Sequence, residues 1–304
     1  MSASRITEKS IANRTLANLQ NNISRLGVTQ QQLSSGKQIS RPSDSPSGAT
    51  MAMQYRSDMG RMQQYTRNAN DGMSWLNVTD SALSSIVDQV ARAHELVLSG
   101  ISGGAFGTPE AREAMAQEVD SIVGSTLGLA NTTYLGRPVF GGSTSGNVAY
   151  ASDVAAANYG TYVGDHGQVL RTADNSSTVR VDTDGDAVFG GAAGGQTLFQ
   201  LLQQVSQDLR TDPQKLPRDL DALDASATSL RTGLAGVGSR TNELTQMQQS
   251  ASSSGATLAQ SLTDVEDIDL PKTITDLQLQ QTAYQAALAA TARVVQPSLV
   301  DFLR

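Results

Sequence analysis

The 304-residue sequence predicts a mainly α fold with a small β module, in which both chain termini form a long antiparallel helical coiled coil and a β-rich domain is inserted at the centre. Three observations predict it. Near both ends, apolar residues recur at alternating steps of three and four, the mark of a heptad seam. From Tyr134 to about Gly195 the chain is instead rich in Gly, Asp, Ser, Thr and Asn, with short β-prone runs. Apolar residues make up only 38% of the chain and aromatic ones 4%, below the roughly 45–50% apolar content of ordinary globular chains. Much of that share is alanine, which suits narrow seams between close helices better than one thick core.

The first helix is expected from about Ile11 to Leu33, with Leu16, Leu19, Ile23, Leu26 and Leu33 as its seam and Gln30 at the missing heptad position. Gly36 stops it, and the turn-rich segment Arg41 to Gly48 follows, because Pro42 and Pro46 bias the residues before them away from helix. Ser47 is expected to cap a second helix from Ala49 to Ser99, whose seam is Leu76, Thr79, Leu83, Ile86, Val90, Ala93 and Val97. Gly100 to Gly107 reads as a break. Thr108-Pro109-Glu110 then reads as an N-cap with proline at the first helical position, and the third helix carries Met115, Val119, Ile122, Thr126, Leu129 and Thr133.

The central segment offers strands at Arg137 to Phe140, Gly160 to Val163, Gln168 to Thr172, Ser177 to Asp182 and Ala187 to Phe189, with Asp184-Gly185 as a hairpin turn. Helix returns at Thr197 through Leu198, Leu201, Val205 and Leu209, breaks at Pro213 and Pro217, and resumes from Arg218 to Ser261. A last helix, Leu270 to Leu303, keeps heptad spacing through Leu270, Ile274, Leu277, Gln281, Tyr284, Leu288, Thr291, Val295, Ser298 and Phe302, interrupted by Pro297. The pattern divides the chain into a terminal layer, residues 1–40 with 265–304, a helical rod layer, 41–133 with 197–264, and an outer β-rich domain, 134–196.

The chemistry that composition excludes is extensive. Without cysteine there is no disulfide scaffold, thiolate nucleophile or cysteine-ligated metal, and two distant histidines, His94 and His166, make a metal centre or catalytic triad a poor expectation. Asp182-x-Asp184-Gly185-Asp186 opens like a calcium loop, but its glycine is fourth and its twelfth position is Ala193. His94-Glu95 lacks the second zincin histidine, and Gly233, Gly236 and Gly238 follow no strand. No catalytic residue, cofactor or metal is expected. Residues 1–70 carry nine Lys/Arg against three acidic residues, residues 240–304 four against seven, and the whole chain is −7. The basic residues are spaced singly, as on solvated helix faces, so neither nucleic acid nor membrane is an expected partner. A basic arm beside an acidic arm is the simpler reading. No stretch approaches the ~20 apolar residues of a membrane span, and Met1 to Ser10 lacks an apolar run and a small-residue cleavage site, so no cleaved secretory signal is expected.

The ordered stretches at the two ends carry a resemblance. Asn18 to Arg41 (NLQNNISRLGVTQQQLSSGKQISR), Pro42 to Ala49 (PSDSPSGA) and Arg67 to Leu83 (RNANDGMSWLNVTDSAL) resemble the N-terminal region of the flagellin superfamily, and Val265 to Arg304 resembles its C-terminal region. The Pro-Ser-Asp-x-Pro-x-Gly-Ala turn and the Ser-Leu-x-Asp-Phe-Leu ending are similar to the hook–filament junction branch. One departure is Ser45, where that branch commonly has a second aspartate.

The resemblance implies a structural, non-enzymatic component of the bacterial flagellum that joins the hook to the flagellin filament. The implied partners are identical subunits in a ring, flagellin, a neighbouring hook-associated protein of the FlgK type and an export chaperone of the FlgN type. It further implies export without a cleaved signal through the flagellar type III apparatus to an extracellular site. A filament-forming flagellin is the nearest alternative, and an enzyme carried on the central domain a remote one. The expected assembly surface is Leu16, Leu19, Ile23, Leu26 and Leu33 with Leu277, Tyr284, Leu288, Val295, Leu299 and Phe302. Amides and hydroxyls at seam positions make such arms weak alone, since helix association must offset the entropy of ordering.

Overall fold

The computed structural model describes residues 8–102, 108–154, 156, 158–175, 177–191 and 195–301. Among these residues seven α-helices and four short strands follow one another as α1 (Glu8–Ser35), α2 (Pro46–Ser102), α3 (Pro109–Ala130), β1 (Thr133–Tyr134), β2 (Arg137–Pro138), β3 (Leu170–Thr172), β4 (Thr178–Arg180), α4 (Gly185–Phe189), α5 (Leu198–Thr211), α6 (Leu216–Glu266) and α7 (Leu270–Asp301). The fold is mainly α with a small β module, as the periodicity predicts. Two compact units divide it, residues 1–61 with 254–304 and residues 62–253.

The larger unit, 62–253, owes its core to the heptads. Leu76, Thr79, Leu83, Ile86, Val90, Ala93 and Val97 of α2 are all buried, as their spacing predicts. The hydroxyl of Thr79 donates back to the Trp75 carbonyl at 3.0 Å, so a polar residue sits in the seam without an unmet hydrogen bond. Opposing them, α6 contributes Leu216, Leu223, Leu230, Val237, Leu244 and Ala251, a strict seven-residue repeat. The third side comes from α3, with Val119, Ile122, Val123 and Leu127, and from α5, with Leu198, Leu202, Val205 and Leu209. The cap of α3 is the expected one, Thr108 accepting from the Ala111 N–H, and Thr197 with Gln200 forms a reciprocal capping box on α5.

Several boundaries differ from the sequence expectations, each for a local reason. The second helix starts at Pro46, and its cap is Ser45, whose Oγ accepts from the Gly48 N–H at 3.2 Å; Ser47 is already inside the helix. It also runs on through Gly100 to Ser102, and the glycine serves packing instead of a break: a Cβ at position 100 would lie 3.1 Å from Leu209 and 3.4 Å from Leu216. The remainder of the expected break, residues 103–107, lies outside the described residues. Pro217 falls in the first turn of α6 and Pro297 within α7, and neither ends a helix. Thr133, expected on the α3 seam, begins β1.

The β module is sparser than expected. The run at Arg137 to Phe140 pairs over two residues only, with Thr133–Tyr134 through the two-residue loop Leu135-Gly136; both loop residues have positive φ, 50° and 78°. That geometry is a primed hairpin turn matching the right-handed twist of its strands. Near Tyr162 there is an isolated bridge to Tyr150 rather than a strand. The three-residue strands β3 and β4 pair antiparallel with Arg171 opposite Val179. Ala187 to Phe189 is helical, and Asp184-Gly185 is its start rather than a hairpin turn: the Asp184 carboxylate accepts from the Asp186 N–H at 3.1 Å. A strand would send the neighbouring residues Val188 and Phe189 to opposite faces. Here both are buried, and Phe189 joins Phe140, Tyr150 and Phe199 in an aromatic cluster with ring centroids 4.8–5.7 Å apart.

Candidate assembly surface

The smaller unit is built on the antiparallel pair α1 and α7. Gly36 takes φ +72°, which turns the chain out of α1. The next residues pair with the α6–α7 turn: the Gln38 N–H donates to the Glu266 carbonyl at 2.7 Å, and the Ile268 N–H to the Gly36 carbonyl at 3.1 Å. The Glu266 side chain is buried in that joint and receives both Lys37, at 2.6 Å, and Arg56. Burial alone would raise its carboxyl, but the Lys37 hydrogen bond and the Arg56 charge outweigh it and hold the pKa below the ordinary glutamate value. Among the described residues no ion pair joins α1 to α7 along their length; the charge complementarity of the two arms is concentrated at this one joint.

Along the pair, the covered positions at heptad spacing are Thr15, Leu19, Asn22, Leu26, Thr29 and Leu33 on α1, with Gln32 covered beside the joint, and Thr273, Leu277, Gln280, Tyr284, Ala287 and Thr291 on α7. Both sets keep three-four spacing. Their contents are half polar. At the centre the Thr29 hydroxyl, 7% exposed, lies 3.1 Å from both the Arg25 carbonyl and the Gln280 side-chain oxygen. Of the residues expected on these seams, Leu19, Leu26, Leu33, Leu277 and Tyr284 are half-buried where the two helices meet. Leu16 and Ile23 are not there: they are 60% and 52% exposed, and Leu288 is 44% exposed. The reason is a one-residue displacement. The seam takes Thr15, Asn22 and Thr29 in place of the larger apolar neighbours Leu16 and Ile23 and of Gln30, and the same displacement replaces Gln281 and Leu288 by Gln280 and Ala287. Side-chain hydropathy alone points to the wrong phase here. The side chains of Val295 and Leu299 and the whole of Phe302 lie outside the described residues.

Two carboxylates form the other notable electrostatic feature, in the larger unit. Asp208 of α5 and Asp219 of α6 are 5% and 2% exposed, and the Gln204 amide reaches both, at 3.5 and 3.4 Å. Lys215 lies 3.7 Å from Asp208. Burial first, then the Asp208 charge and hydrogen bond, push Asp219 up to about 6, against the opposing charges of Arg218 and Lys215.

The residues considered for chemistry are dispersed. His94 lies 3.3 Å from Asp224, and His166 lies 3.3 Å from Asp184 on the β module. A cleft of about 540 Å³ beside α4 and α6 is lined by Arg180, Asp182, Asp184 and Arg240 among others, without either histidine. Its hydroxyls on Thr228, Ser229 and Thr232 donate to backbone carbonyls of their own helix. The Asp182 carboxylate pairs with Arg180 and holds the Val169 N–H, a structural role. Among the described residues no group of three or more His, Asp or Glu could hold a metal ion, and no helix is long and apolar enough to cross a membrane.

Comparison with known proteins places this architecture. The bacterial flagellin N-terminal helical region matches residues 6–145, and the bacterial flagellin C-terminal helical region matches residues 220–303. The flagellar hook-associated protein 3 of Escherichia coli is 25% identical over 283 residues, covering 86% of this chain and 87% of that one. Bacillus subtilis flagellin is 23% identical over 302 residues, covering 96% of each. Among solved structures, the Legionella pneumophila flagellar hook associated protein-3 superposes with a TM-score of 0.62 at 14% identity, covering 70% of this chain and 98% of that one. The Bacillus cereus FlgL structure gives 0.59 at 21% identity, covering 69% and 99%. With helical regions of one family matched at both ends and a described helical core to fit them, the chain belongs to the flagellin family of bacterial flagellar proteins.

Proposed function

We propose that the protein is a structural, non-catalytic adaptor at the junction between the flagellar hook and its filament. The observation that carries this reading is the terminal helix pair, whose covered seam is half polar and which leaves Leu16, Ile23 and Leu288 exposed. Such a pair gains little by folding alone and much by being covered, as a subunit completed by its neighbours would be. The likeness to hook-associated protein 3 along most of both chains supports the junction over other positions in the flagellum. In this reading identical subunits form a ring, with a neighbouring hook-associated protein of the FlgK type on one side and flagellin on the other. A chaperone of the FlgN type delivers the chain to the flagellar type III exporter, and it works outside the cell. Residues 1–40 with 265–304 form the inner layer, 41–133 with 197–264 the rod layer and 134–196 the outer domain. Leu19, Leu26, Leu33, Leu277, Tyr284, Val295, Leu299 and Phe302 lie at or beside the intersubunit contacts with the three exposed residues.

A strain lacking the gene tests the reading: it is expected to build hooks and to shed flagellin into the medium. The similarity to B. subtilis flagellin over nearly the whole chain favours one second reading, a filament subunit. Growth of long filaments from the purified chain alone would select it over the junction.

A further inference from the structure

Half of the chain's methionines lie in one short stretch of helix. Met51, Met53, Met59 and Met62, four of eight, fall on α2 within residues 51–62, and the chain has no cysteine to compete with them for oxidants. Met51 and Met53 are 51% and 58% exposed, whereas Met59, Met62, Met73, Met115 and Met247 are half-buried. An oxidant must reach the sulfur, so these two are the reactive pair among the described methionines. Between them Ala52 is buried, and at about 100° per residue their side chains leave the helix on opposite sides of it. One turn earlier, Ile39 of the segment joining α1 to α2 is seated against the helix: a Cβ at Gly48 would lie 2.5 Å from its Cδ1.

The two sides differ in charge. Met51 lines a cavity of about 520 Å³ with Val28, Ile39, Asp44 and Asp264, and that cavity holds carboxylates and no cation. Met53 lines one of about 380 Å³ with Ile39, Lys37, Arg41 and Arg56. The carboxylate of the second cavity, Glu266, already accepts from Lys37 and Arg56. Among the described residues the Arg41 guanidinium enters no ion pair, so it has N–H donors to offer. A thioether sulfur accepts hydrogen bonds weakly. Oxidation makes it a polar sulfoxide, and an oxygen acceptor is bound most strongly where the donor is charged.

We propose that Met53 is a site of reversible oxidation by peroxide, and that its sulfoxide oxygen is received by Arg41 together with Lys37 and Arg56, which fastens the segment 37–42 onto α2. In the step a sulfur lone pair takes one oxygen of hydrogen peroxide: the S–O bond forms, the O–O bond breaks, and the proton of the transferred oxygen passes to the departing hydroxide to give water. Sulfur is oxidised by two electrons and the peroxide is reduced by two. Methionine sulfoxide reductases reverse the change. Sulfoxidation ordinarily disrupts the packing around a methionine; at Met53 the neighbouring cations reverse that sign. Met51 reacts as readily but meets no cation, and its sulfoxide fastens nothing.

The test treats the purified full chain, its methionine methyl groups carrying carbon-13, with a limited amount of hydrogen peroxide. The methyl signals, assigned through Met51→Leu and Met53→Leu, are expected to report oxidation at Met51 and Met53 on the order of tenfold faster than at Met73, Met115 and Met247. Equal rates overturn the choice of site. Trypsin cleavage after Lys37 then reads the fastening. In Met51→Leu, whose exposed sulfur is that of Met53, peroxide is expected to slow this cut about threefold, and a sulfoxide reductase to restore the original rate. Unchanged or faster cleavage of that oxidised chain overturns the proposal. In Met53→Leu peroxide is expected not to slow the cut, and slowing there overturns the assignment to Met53. Adding Arg41→Ala to Met51→Leu is expected to abolish the slowing; slowing that survives it overturns the role of Arg41.

Discussion

Two buried carboxyl groups give the protein opposite responses to pH. Asp219 holds its proton in the folded state up to about 6. Its contribution is fully present below the ordinary aspartate range and is lost as pH rises through about 6. Glu266 is shifted the other way by Lys37 and Arg56, so its contribution is present above the ordinary glutamate value and is lost as the pH falls. The larger unit, residues 62–253, is therefore expected to show a lower urea midpoint at pH 7.5 than at pH 5. The difference should be on the order of 1 kcal/mol and should vanish in Asp219→Asn. A wild-type midpoint that does not move between these pH values would contradict the assignment. Neither pairing was legible in the sequence, because Asp208 and Asp219 are brought together by the turn at Pro213 and Lys37 meets Glu266 across most of the chain. What the sequence does carry at this scale is local. Thr108 reads correctly as a cap, whereas Ser47, the cap expected for α2, gives way to Ser45 because Pro46 already occupies the first helical position.

Among the elements, the long helices were legible and the short ones were not. A heptad repeated over three or more turns leaves one consistent face, and every seam residue named for α2 is buried. Where the apolar residues outnumber the seam, as on α1 and α7, periodicity fixes the helix but leaves two candidate phases one residue apart. The observed phase leaves Leu16 and Ile23 outside. In the β module, a two-residue strand carries too little pattern to recognise, and Leu135-Gly136 hides its turn because leucine is a rare occupant of positive φ. The strictest repeat belongs to α6. Leu223→Ala, which truncates a wholly buried side chain within that repeat, is expected to cost about 2–5 kcal/mol in urea unfolding. The same change at the exposed Leu279 of α7 is expected to cost well under 1 kcal/mol. Equal losses at the two sites would show that the repeat does not bear the stability assigned to it.

For the whole molecule, the two units differ in how completely they satisfy themselves. Residues 62–253 hold nearly all of the fully buried large side chains, from Trp75 to Leu244, whereas along the α1–α7 pair only Thr29 is buried among the described positions. Amide exchange on the dilute monomer is expected to show α1 and α7 exchanging orders of magnitude faster than α2, α3 and the first part of α6, with protection of the terminal pair appearing only in assembled flagella. Strong protection of both terminal helices in the monomer would refute folding upon assembly. The apolar residues follow the same division: the larger unit buries its large residues in a core of its own, and the smaller leaves Leu16, Ile23 and Leu288 exposed.

The spacing of α6 has a further consequence for handedness. Residues that meet their partners every seven positions fall short of two full turns of an ideal α-helix by about 20° per repeat. From Leu216 to Ala251 there are five such repeats, so the buried stripe drifts by roughly 100° around a straight α6. The drift has one sign, and the helices that keep contact with the stripe must follow it as a left-handed superhelix. The chirality of the larger unit is thus written in the interval between its leucines. An insertion of four residues into that interval is predicted to relax or reverse the local winding before it removes any contact.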